Sequence, residues 1–86
     1  MQPPIKEVTN EDLLAIRKLL SDHIPKWAQV MADRLNSNPE YSRGSWKPCT
    51  EGTAYNIAAG FIAQQYRRRA FMKEANDLLL EIFKQE

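Results

Sequence analysis

The sequence predicts an all-α protein, a small domain of four helices. Three observations carry this. Apolar residues recur three and four positions apart in separate stretches, which places them on one face of a helix. The prolines at 25, 39 and 48 fall between those stretches rather than inside them. No stretch alternates apolar and polar residues as a half-buried strand does.

With 86 residues the chain is long enough for one domain, expected over 1–86. Residues 1–8 read as a flexible lead-in, and helices are expected at about 10–21, 25–36, 51–59 and 67–85. The first begins at Thr9, whose hydroxyl can cap free backbone N–H groups, with Glu11 and Asp12 suited to the positive end of the helix dipole. Leu13, Leu14, Ile16, Leu19 and Leu20 then follow at helical spacing. Pro25 reads as the first residue of the second helix, where a missing N–H does no harm. Trp27, Met31 and Leu35 form its apolar stripe, widened by Ala28, Val30 and Ala32.

Asn36 to Pro39 stops that helix, and residues 37–49 read as an inserted loop. Tyr41 and Trp46 within it imply a loop folded back on the body, plugging the side of a small core. Thr50 caps a third helix with the stripe Ala54, Ile57, Ala58 and Phe61. Gly60 fits the left-handed residue that ends a helix, with Phe61 or Ile62 folding back against it. A single helix from 51 onward is the alternative. However, continuing the stripe lands on Gln64 and Arg68, so a break between Gly60 and Arg67 is favoured. Phe71, Ala75, Leu78, Leu79, Ile82 and Phe83 define the last helix.

Composition narrows the function classes. One cysteine, Cys49, and one histidine, His23, rule out an internal disulfide and any Cys- or His-rich metal site. Cys49 reads as a buried structural thiol and His23 as a connector residue. No leader-like or membrane-spanning apolar run is present, so a cytoplasmic location is expected. No phosphate-binding glycine loop, paired carboxylates or metal-ligand spacing occurs, so no catalysis and no cofactor are expected.

The net charge is +1 but unevenly placed. Within 26–69, Lys26, Arg34, Arg43, Lys47, Arg67, Arg68 and Arg69 face only Asp33, Glu40 and Glu51, while both ends of the chain are net acidic. Arg67-Arg68-Arg69 is the densest cluster. Three cations at a helix start oppose its dipole, which an anionic partner such as a duplex backbone would offset. The alternative is a solvated turn.

The second and third helices carry a further pattern. Ala32 is a small residue flanked by Met31 and Leu35, as where two helices cross closely. Ala54, Ile57 and Gly60 follow at three-residue steps. Together these residues resemble the helix-turn-helix of small phage-repressor-like and Cro-like transcriptional regulators, over about residues 26–83. The departure is the turn: fourteen residues lie between Asn36 and Glu51, where that motif has only a few. The resemblance implies that the third helix enters the major groove of duplex DNA by its N-terminal half. On that reading Thr50 and Thr53 contact phosphates, Tyr55 and Asn56 face the groove, and the Asn56 amide pairs with adenine. Glu51 either reads a cytosine amino group or repels phosphates. Lys47, with Arg43 and Trp46, would act as a wing, and Arg67, Arg68 and Arg69 would reach the backbone. Such regulators pair to read two half-sites, and Leu78, Leu79, Leu80, Ile82 and Phe83 offer a face for a homodimer. The rival reading is a helical protein–protein interaction or dimerisation module with a basic docking surface.

Overall fold

A computed structural model describes residues 7–42 and 48–84 of the chain. Five helices follow in order: α1 (Asn10–His23), α2 (Trp27–Asn36), α3 (Pro39–Ser42), α4 (Glu51–Ala58) and α5 (Gln65–Lys84). Among the described residues there is no strand. The all-α expectation is met, with one short helix more than expected.

α1 starts where its capping residues place it. The Thr9 hydroxyl accepts from the Asp12 N–H at 3.1 Å, and the Asp12 carboxylate accepts from the Thr9 N–H at 3.1 Å. Two of the helix's free donors are thereby satisfied reciprocally. Leu13, Ile16 and Leu20 face inward and are buried, while Leu14 and Leu19 stay largely exposed.

α2 begins two residues later than expected. Pro25 lies in the connecting turn, closed by a bond from the Trp27 N–H to the Ile24 carbonyl at 3.2 Å. Trp27, Ala28, Met31, Ala32 and Leu35 are buried.

The segment expected to be irregular contains α3. The Asn38 side-chain oxygen accepts from the Glu40 N–H at 2.8 Å, which starts the turn, and Tyr41 is buried against the core. A local side-chain bond and one buried ring therefore replace apolar periodicity as the cause of this helix. Trp46 lies outside the described residues.

Gly60 ends α4 in the left-handed region, at φ 84°. The Phe61 N–H reaches the Asn56 carbonyl at 3.0 Å and the Gly60 N–H reaches the Ile57 carbonyl at 3.1 Å, a Schellman closure. The side chain that folds back is Ile62, half-buried against the core, whereas Phe61 is 79% exposed.

One core joins all five helices: Leu13, Leu20, Met31, Leu35, Ile57 and Phe71 are its largest fully buried side chains. α1 and α5 run side by side in the same direction. Val8, just before α1, bonds to Gln65 and Arg68 at the start of α5, and His23 at the end of α1 meets the Phe83 ring edge-on at 5.1 Å. α2 packs most extensively on α4. No helix among the described residues is long and apolar enough to cross a membrane.

Candidate nucleic-acid interface

α4 is held by one stripe only. Ala54, Ile57 and Ala58 are buried, and α4 packs on α2, whose small residues Ala28 and Ala32 are buried too. Thr50, Glu51, Tyr55 and Asn56 are exposed, and Thr53 is half-buried. The Thr50 hydroxyl caps the helix, accepting from the Thr53 N–H at 3.2 Å, and lies 3.1 Å from the Thr53 hydroxyl. Both hydroxyls therefore sit at the N-terminus where the helix's free N–H groups point outward.

Tyr55 is fixed although 42% exposed. Its ring meets buried Trp27 edge-on at 4.8 Å, and the Arg17 guanidinium of α1 lies over it at 5.9 Å. Arg17 is a residue that sequence reasoning missed. It interrupts the apolar pattern between Ile16 and Leu20, and nothing local to α1 shows that it borders α4.

The long connection between α2 and α4 is closed at its base. Asn36, the last residue of α2, donates from Nδ2 to the Cys49 carbonyl at 3.0 Å and accepts at Oδ1 from the Cys49 N–H at 2.6 Å. Cys49 immediately precedes the cap of α4. The two helix ends thus meet as across a short turn, and the chain leaves α2 and enters α4 at a closed neck. Beside it the Tyr41 ring lies under the Arg67 guanidinium at 5.7 Å, and the Cys49 thiol donates to the Thr50 carbonyl at 3.6 Å. Burial, reinforced by the neighbouring Cys49 side chain, pushes the Tyr41 pKa up to about 12. Burial also raises the Cys49 thiol above its ordinary value, so it stays a thiol, as expected of a structural cysteine.

The arginine triplet does not act as a cluster. Successive residues of a helix point about 100° apart, so the three side chains diverge. Arg68 is the correction: it is only 8% exposed, and its guanidinium donates to the carbonyls of Ile62 at 2.7 Å, Val8 at 3.0 Å and Gly60 at 3.1 Å. Neutral carbonyls of the chain's own backbone take the place of an anionic partner, and the guanidinium is not available to a ligand. Arg67 is half-buried between the Tyr41 and Tyr66 rings and donates to the Tyr66 hydroxyl at 3.3 Å. Arg69 is exposed beside α3, lining a depression of about 290 Å³ with Asn38, Glu40, Ala70 and Lys73. Lys47 lies outside the described residues, as do Arg43 and Trp46 of the expected wing.

Of the sequence-derived candidates, the structure brings Thr50 and Thr53 together at the start of α4, while Tyr55 and Asn56 are exposed further along it and point about 100° apart. Among the described residues no cluster of His, Cys, Asp and Glu could hold a metal ion. No protein-family model, curated protein or solved structure matches this chain.

Proposed function

We propose that this domain binds duplex DNA, with the N-terminal half of α4 in the major groove. The observation that carries the reading is the double bond bracket of Asn36 on Cys49. It offsets the one departure from a helix-turn-helix, because the extra residues leave and return at a closed neck. α2 and α4 can then pack as a unit through Ala32, Ala54 and Ala58. The exposed face of α4 supplies the chemistry: the Asn56 amide for a base edge, Thr50 and Thr53 with the helix-end N–H groups for phosphates. The resemblance extends this to transcriptional regulation, with a homodimer formed through α5. Leu80, 64% exposed, and Phe83, 46% exposed, would lie in that contact.

The test is an NMR titration of the labelled protein with mixed-sequence duplex DNA at low salt. Shifts concentrated on the amides of 50–56 support the reading, and an unperturbed α4 contradicts it. The protein–protein reading is favoured by a separate observation: Leu14, Phe61 and Leu80 are large apolar side chains left mostly in solvent. It gains where the same titration leaves every amide unmoved.

A further inference from the structure

We propose that α1 forms a second wall of the DNA-binding surface, with Arg17 as a phosphate contact positioned by Tyr55. The inference rests on the DNA reading of α4 given above. α1 runs along α4 on a defined strip. At one end a side chain on Gly60 would meet the Asn10 amide at 2.6 Å, so the end of α4 touches the start of α1. At the other end Arg17 lies over Tyr55. Asn10, Leu14, Arg17 and Ser21 follow one another at steps of four, three and four along one face of α1, and Lys18, next to Arg17, lies at its edge. Of these, Asn10 borders the end of α4 at Gly60 and Arg17 borders α4 at Tyr55.

The charges on this strip favour an anion. Among the described residues neither Arg17 nor Lys18 is in a salt bridge, whereas Arg34 and Lys73 are each paired with carboxylates. Leu14, Arg17, Lys18, Ser21 and Asp22 line a shallow depression of about 310 Å³, with its only carboxylate, Asp22, at the far end of the strip. Trp27 fixes the Tyr55 ring, and the ring holds the guanidinium beside α4 without neutralising it, since a π face attracts a cation but carries no net charge. A guanidinium held in place, still charged and half-exposed, at the border of a groove-reading helix can bind a phosphate oxygen with little further ordering.

The experiment measures binding of a mixed-sequence duplex by fluorescence anisotropy over a salt series, for the wild type, Arg17→Gln, Arg17→Lys and Lys84→Gln. Circular dichroism and thermal melting verify that each variant is folded. Loss of one phosphate contact lowers the slope of log K against log salt by about one and weakens binding about five- to ten-fold near 0.1 M salt. Arg17→Gln is expected to show both changes, Arg17→Lys to recover most of the slope, and Lys84→Gln to match the wild type. A folded Arg17→Gln protein with the wild-type slope and affinity overturns the role of Arg17 and leaves the α4 reading standing. A wild type that does not bind duplex DNA at low salt overturns both.

Discussion

Replacing Arg68 by Met keeps an unbranched side chain of similar length and removes every donor. The three carbonyls that Arg68 holds belong to three separate segments: the approach to α1, the end of α4 and the turn into α5. A hydrogen bond to a charged group contributes about 1.5–3 kcal/mol. Three of them set a ceiling well above 4 kcal/mol, but the turn beside exposed Phe61 lets water reach some of the freed carbonyls. The expected net loss is therefore about 3–4 kcal/mol. A domain of 86 residues is stable by only about 4–13 kcal/mol, so the variant loses a quarter of that or more. For a domain of this size the loss lowers the melting temperature by about 12–25 °C. Arg68→Lys keeps the charge but not the planar fork, and is expected to lose roughly half as much. Arg69→Met, one residue on and exposed, should change stability by less than about 0.5 kcal/mol. Urea unfolding followed by circular dichroism measures all three. If Arg68→Met and Arg69→Met unfold at the same urea concentration, Arg68 is not the clasp described.

Asn36→Ala removes both bonds to Cys49 and is expected to destabilise by about 1–2 kcal/mol, with faster hydrogen exchange at the Cys49 amide. Unchanged exchange there would contradict a closed neck. Gly60→Ala forces a side chain into the left-handed region and against Asn10, lowering stability by about 1–2 kcal/mol or more. Adding Asn10→Gly should restore the part due to crowding, as read from the melting temperatures of the single and double variants. Tyr41 titrates at about 12 in the fold against 10.0 when unperturbed, so the unfolded chain ionises first as pH rises. Its contribution is fully present below pH 10 and is lost between 10 and about 12, so Tyr41→Phe should flatten the fall of stability over that window. Cys49, buried and held protonated, should react with iodoacetamide far more slowly in the folded protein than in urea.

The helices were legible because their causes are local. Thr9 and Thr50 cap, Gly60 terminates, and Leu13, Ile16 and Leu20 or Phe71, Ala75 and Leu79 repeat at the helical period. The outward residues of α4 were legible for the same reason, since knowing the packed stripe identifies the opposite face. What the sequence hid are contacts between distant positions. Asn36 and Cys49 meet across thirteen residues, and an amide at a helix end looks alike whether it brackets a backbone or faces water. Arg68 was grouped with its neighbours because adjacent cations look like one patch. The rotation of the helix separates them, and the carbonyls that hold Arg68 come from as far back as Val8. Arg17 could be placed beside Tyr55 only once α1 was seen to run along α4. α3 escaped because its cause is a single Asn38 side chain and one buried ring rather than a period.

The proposed role of α4 is to read a duplex through its exposed residues. Binding of the wild type and of Asn56→Ala to mixed-sequence duplex DNA, followed by anisotropy from low to physiological salt, tests it most directly. The wild type is expected to bind tightly at low salt, with log K falling linearly against log salt, and Asn56→Ala to keep that slope, because an uncharged amide that reads a base edge releases no counterion. Absence of wild-type binding at the lowest salt, where a phosphate-contacting surface holds DNA most strongly, would contradict it.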